Sequence, residues 1–186
     1  MLSDISKGAE KAVSLAINKT ISTTKTQITK KLGETLNLKA ARIKEDIQPD
    51  KATTKKLHGS IVVKGEPVGL INFAGSQLKT GVKVKVFKSG TAKLLKHAFI
   101  KTVRGKEHLF WRKYDGVRKP VKQNFKYAAL PKKYKIPVER LTGPRIEDIL
   151  AKDEILNPIN QDAANLLLEN TDKAVLEILR RHSVGV

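Results

Sequence analysis

Near the start of the chain, apolar residues recur at helical intervals. Ile5, Ala9, Ala12, Ala16, Ile17, Ile21, Ile28 and Leu32 lie mostly three, four or seven positions apart, which sets them on one stripe. The spacing predicts a helix from Ile5 to about Leu32, capped by Asp4 or Ser3, whose short oxygen side chains can accept from the free N–H groups of the first turn. Gly33 is expected to end it. Thr20, Thr23, Thr24 and Thr26 weaken helix propensity, so packing must hold that part or it frays. Lys7, Lys11, Lys25, Lys30 and Lys31 fall on the opposite face and read as a solvated surface. Leu36, Ala40, Ile43 and Ile47 predict a second, shorter helix that Pro49 closes.

From Gly59 to Tyr114 the period changes. Runs of Ile, Val and Phe are interrupted by Lys-Gly, Glu-Pro, Thr-Gly, Ser-Gly and Arg-Gly, the punctuation of short strands joined by turns. Strands are expected at Ile61–Val63, Val68–Phe73 and Val82–Phe87, the last with Val82, Val84 and Val86 on one face and Lys83 and Lys85 on the other. Ala98–Val103 and His108–Arg112 form a hairpin closed by the turn Arg104 to Glu107. Gly116, Pro120 and Pro131 mark Asp115 to Lys133 as a basic loop, and Tyr134 to Leu141 is extended again. Pro144 and the pair Asn157-Pro158 each suit the opening of a helix. The last helix carries Ile159, Ala163, Leu166, Leu167, Ala174 and Ile178 on one stripe and runs to about His182.

These elements predict an α+β fold: a mainly antiparallel, strongly twisted or barrel-like sheet packed against a long N-terminal helix and C-terminal helices. At 186 residues the chain suits one domain. Within it, 1–48 is a helical hairpin, 57–141 the basic β region with its loop at 115–133, and 144–183 the C-terminal helices.

Charge sharpens this picture. The formal net charge is +19. Residues 1–60 carry 12 Lys/Arg against 6 Asp/Glu, residues 61–140 carry 20 against 4, and residues 141–186 carry 5 against 8. The sheet region is therefore the cationic part, and such a field attracts polyanions, nucleic acid foremost. Two alternatives stand beside it: lysines that keep strand edges from mispairing, and lysines that meet an acidic neighbour in an assembly.

The sequence offers little for catalysis. The absence of Cys removes disulfides, thiolate metal sites and a cysteine nucleophile, and fits assembly in a reducing compartment. His58, His97, His108 and His182 are isolated, although His97 and His108 are able to meet across the hairpin. Glu147, Asp148, Asp153 and Glu154 suit the positive ends of helices. Gly65, Gly69 and Gly75 lack the Gly-Lys-Ser/Thr of a phosphate-binding loop. No signal peptide, membrane span, metal or cofactor is expected. Among aromatic residues, Phe99 and Phe110 occupy apolar strand positions and read as core, while Trp111, Tyr114 and Tyr127 are candidates for exposure, with Phe125 nearby, as a stacking platform.

Several phrases carry a family resemblance: TQITKKLG, LKAARIKEDIQPDKAT, KLHGSIVVKGEPVGLINFAGSQLKTGVKVKV, HAFIKTVRGKEHLFWRK and LPKKYKIPVERLTGPRI. In this order, from about residue 8 to residue 182, the chain resembles the minor tail protein Z family of lambdoid tailed phages and prophages. The resemblance implies a non-enzymatic structural protein of the virion, assembled in the host cytoplasm, acting at the head-proximal end of the tail. It implies completion of the tail, head-tail joining and positioning of the genome end. Expected partners are tail terminator and tail tube proteins, head-tail connector proteins and further copies of the chain in a ring of about six.

Taken together with the charge, that setting nominates Lys83, Lys85, Lys101, Arg104, Lys106, Arg112 and Lys113 as sequence-independent contacts to phage DNA. Leu166, Leu167, Ala174 and Ile178 are nominated as subunit contacts. The alternative reading is a nucleic-acid-binding module outside any virion.

Overall fold

The computed structural model describes residues 2–73, 75–112 and 138–183. The fold is α+β, and its contacts divide it into two compact units, Met1–Glu66 with Pro144–Val186, and Pro67–Gly143.

In the first unit, α1 (Leu2–Thr35) packs along α4 (Asp153–Ser183). Its threonines do not break it. Thr20, Thr23, Thr26, Thr29 and Thr35 each donate the hydroxyl to the carbonyl four residues earlier, so the side chain is satisfied inside the helix. Nor does Gly33 end α1. The helix continues to Thr35, and Leu36 N–H still donates to Leu32 O at 2.7 Å. The flanking Leu32 and Leu36 are fully buried, and their packing outweighs a glycine cost of about 1 kcal/mol.

The second helix is shorter than its pattern suggests. α2 covers Ala40–Glu45, and Ile47 instead begins β1 (Ile47–Asp50), which pairs antiparallel with β2 (Ser60–Val63). Pro49 sits within β1, in a two-stranded sheet where an edge position tolerates a missing N–H. Asn18 ties this ribbon to α1: its Nδ2 donates to Ala52 O and its Oδ1 accepts from Ala52 N–H, both at 2.9 Å. Lys25 Nζ donates to Ile47 O at 2.9 Å.

Both proline-opened helices start elsewhere than expected. α3 is Ile146–Leu150, preceded by Arg145 in an extended conformation, so Pro144 lies ahead of it. α4 begins at Asp153, four residues before Asn157, because Ile155 and Leu156 both donate to Lys152 O. Pro158 therefore falls inside the helix, near its start. Burying Ile155 as well as Ile159 favours the earlier start. The core of this unit gathers Leu32, Leu36, Ile43, Ile47, Ile146 and Ile159.

The second unit holds two three-stranded antiparallel sheets. One is β3 (Ser76–Leu78), β4 (Gly81–Val84) and β5 (Lys93–Lys96); the other is β6 (Phe99–Val103), β7 (Lys106–Arg112) and β8 (Val138–Arg140). Among the described residues these sheets remain open, with no closed barrel. The expected strand at Val68–Phe73 is not one: Leu70–Asn72 is a turn of 3-10 helix, with Val68 and Phe73 buried on either side. A short apolar run has no period of its own, and here burial of its two ends decides the conformation.

Candidate nucleic-acid interface

The β6–β7 hairpin turns on two residues rather than four. Arg104 and Gly105 have φ of 49° and 75°, and Val103 pairs with Lys106. Two consecutive left-handed residues make the hairpin turn whose twist matches that of the flanking strands, so Lys106 and Glu107 belong to β7.

That register sorts the charges. Phe99, Lys101 and Val103 lie opposite Phe110, His108 and Lys106, and in β8 Arg140 and Val138 lie opposite Phe110 and Arg112. Strand alternation places all of these on one face. Ile100, Thr102, Glu107, Leu109, Trp111 and Glu139 take the other. All four Lys and Arg side chains of the three strands thus share one face with His108, and both carboxylates share the opposite face.

Aromatic rings sit among the cations. Phe99 and Phe110 stack with centroids 6.0 Å apart, and Arg112 Cζ lies 5.0 Å from the Phe99 centroid, a cation–π geometry. His108 meets Phe110 edge-on at 6.1 Å. Its Nδ1 is buried without a hydrogen-bond partner among the described residues. Phe99 and Phe110 are half-buried rather than core; the buried residue of this hairpin is Leu109, on the opposite face. Trp111 is 40% exposed and donates Nε1–H to Glu139 Oε2 at 3.3 Å.

The nominated residues do not all converge. Lys101, Lys106 and Arg112 share the cationic face and are exposed, and Arg140, which the sequence reading passed over, joins them. Arg104 is at the turn. Lys83 is exposed on β4, in the other sheet. The strand it belongs to ends at Val84, and Lys85 follows, half-buried, its N–H donating to Phe73 O at 3.3 Å. Lys113, Tyr114, Phe125, Tyr127 and the 115–133 loop lie outside the described residues. His97 does not meet His108 across the hairpin, because Lys101 holds the position opposite His108.

The nominated subunit contacts also separate. Leu166, Ala174 and Ile178 are half-buried in helical register with Asn170, while Leu167 is 39% exposed. Among the described residues, no three His, Cys, Asp or Glu side chains cluster in a way that would hold a metal ion, and no helix is long and apolar enough to cross a membrane.

Comparison with known families supplies the biological setting. A family model described as prophage minor tail protein Z (GPZ) matches residues 1–153. The match ends where α4 begins, short of the residue-182 limit of the sequence resemblance. No curated protein and no solved structure matches the chain.

Proposed function

The chain belongs to the prophage minor tail protein Z family, and from that premise we propose that it acts at the head-proximal end of a phage tail. A structural role in the tail follows from the family itself. The finer reading is that this protein completes the tail, supports joining to the head and helps position the genome end. It would do so beside terminator, tube and connector proteins, as a ring of about six copies.

The observation that carries the DNA part of this reading is the one-sided β6–β7–β8 sheet. Lys101, Lys106, Arg112 and Arg140 face one way and Glu107 and Glu139 the other. Cations presented by a rigid sheet suit a phosphate backbone of any sequence, because phosphate contacts hold position without reading bases. A carboxylate on that face would oppose the same field, and the three strands keep theirs away from it.

Particle imaging tests the location directly. A tagged chain in purified virions is expected at the junction of tail and head, in about six copies by quantitative mass spectrometry. Label along the tail shaft, at its far tip, or absent from particles would overturn the head-proximal reading.

A further inference from the structure

The outer surface of α4 is more apolar than a solvated helix requires. Leu168, Val175, Leu176 and Leu179 are 67%, 45%, 65% and 60% exposed. Their spacing of seven, eight and eleven residues from Leu168 gathers them on one strip, turned away from buried Asn170. Scattered exposed leucines are ordinary, but an aligned set marks an interaction surface. The helix that carries it is acidic on balance, with six Asp and Glu against Lys173, Arg180 and Arg181. Asp172 lies within the strip, and Glu169 beside it pairs with Lys173.

A second surface has the opposite rim. On the β3–β4–β5 sheet, Val82 and Val84 are buried on one side, and the pairing register puts Leu78, Lys83, Leu94 and Lys96 on the other. Leu78 and Leu94 are 45% and 42% exposed, and Lys83 and Lys96 are exposed with them. Residues 76–96 contain six lysines and no carboxylate. The two leucines stand two strands and two residues apart, about 12 Å. Leu168 and Leu176 stand about 12 Å apart along the helix.

We propose that the outer face of α4 seats on the outer face of the β3–β4–β5 sheet of a second copy of this chain. Leu168 and Leu176 pack on Leu78 and Leu94, and the acidic flank of the helix meets Lys83 and Lys96. Because two different surfaces meet, the contact is head-to-tail, and it closes into a ring when the rotation between copies allows. This deepens the proposed ring and rests on that reading for its biological setting. It also gives Lys83 a protein partner, leaving the phosphate role to the β6–β7–β8 face.

The chain has no Cys, so oxidative cross-linking is clean. Leu94→Cys and Leu176→Cys replace exposed residues, and an unchanged melting temperature would verify that each variant folds. In purified full-length protein and in isolated tails, the double variant should give a ladder of covalent multimers under mild oxidation. Each single variant should stay monomeric, and an equal mixture of the two should stop at a dimer. Lys83→Glu in the double-cysteine chain should remove most of the ladder, and adding Asp172→Lys should restore it. A Leu176→Cys dimer on its own would mean a symmetric contact, and absence of a ladder in both preparations would mean no such contact; either overturns the proposal. Copy number and position of the wild-type chain in virions are read separately, so a failure of the tail-junction reading is distinguishable from a failure of this contact.

Discussion

Asn170 of α4 donates through Nδ2 to the hydroxyl oxygen of Thr20 on α1 at 3.0 Å, across 150 residues of sequence, and both side chains are buried. The same hydroxyl donates onward to Ala16 O at 3.0 Å. This buried link between the two helices favours one alignment, because sliding either by one turn leaves the Asn170 amide buried without Thr20 as its partner. Asn170→Ala should cost about 0.5–1.5 kcal/mol in urea unfolding, the net worth of one hydrogen bond, because Thr20 keeps its bond to Ala16 O. Thr20→Val combined with Asn170→Leu should cost less than the two single changes together, and additive losses would show that the bond couples nothing.

Gly81 and Gly105 separate two reasons for glycine. At Gly81 a Cβ would stand 2.1 Å from Leu95 O of the neighbouring strand, a backbone atom that cannot move aside without breaking the β4–β5 pairing. At Gly105 a Cβ meets nothing within 4 Å, and only its φ of 75° resists substitution. Gly105→Ala should therefore cost about 1–2 kcal/mol, the price of a left-handed L-residue. Gly81→Ala should cost clearly more, and equal melting temperatures for the two variants would contradict the clash.

These positions also mark how far the sequence could be read. The long first helix, the α+β class and the one-sided β4 follow from periodicity, which is a local signal. β1, β3 and β5 did not, since Ile47–Asp50 contains a proline, and Ser76–Leu78 and Lys93–Lys96 are too short and too polar to alternate visibly. The hairpin at Arg104-Gly105 was legible, its register was not. A four-residue turn pairs Val103 with His108, and the observed turn pairs it with Lys106. The difference is two residues, an even number, so every side chain keeps its face. What stayed hidden was Arg140, because its place beside Phe110 depends on β8 joining from 28 residues beyond the hairpin.

Charge reversal on the cationic face should weaken DNA binding without unfolding the chain. Lys101→Glu and Lys106→Glu change exposed side chains. If each contacts a phosphate, each should flatten the dependence of log affinity on log salt by about one unit for duplex DNA of any sequence. Glu107→Lys, on the opposite face, should leave that slope nearly unchanged. Equal effects from both faces would point to net charge alone rather than an oriented surface.

Trp111 supplies an internal reporter, since it is the single tryptophan of the chain. It lies on the carboxylate side of the β6–β7–β8 sheet, hydrogen-bonded to Glu139 and opposite the face that carries Phe99, Phe110 and Arg112. If DNA approaches the cationic face, bases do not stack on the indole, and its fluorescence should change little on saturation with single- or double-stranded DNA. Trp111→Phe should leave affinity within about a factor of two, below the 1–3 kcal/mol per base that stacking on an aromatic side chain is worth. Arg112→Ala should lose more, because it removes a phosphate-facing cation and uncovers Phe99. Strong quenching, with a large loss from Trp111→Phe, would move the interface to the other side of the sheet and require Glu107 and Glu139 to sit beside phosphate.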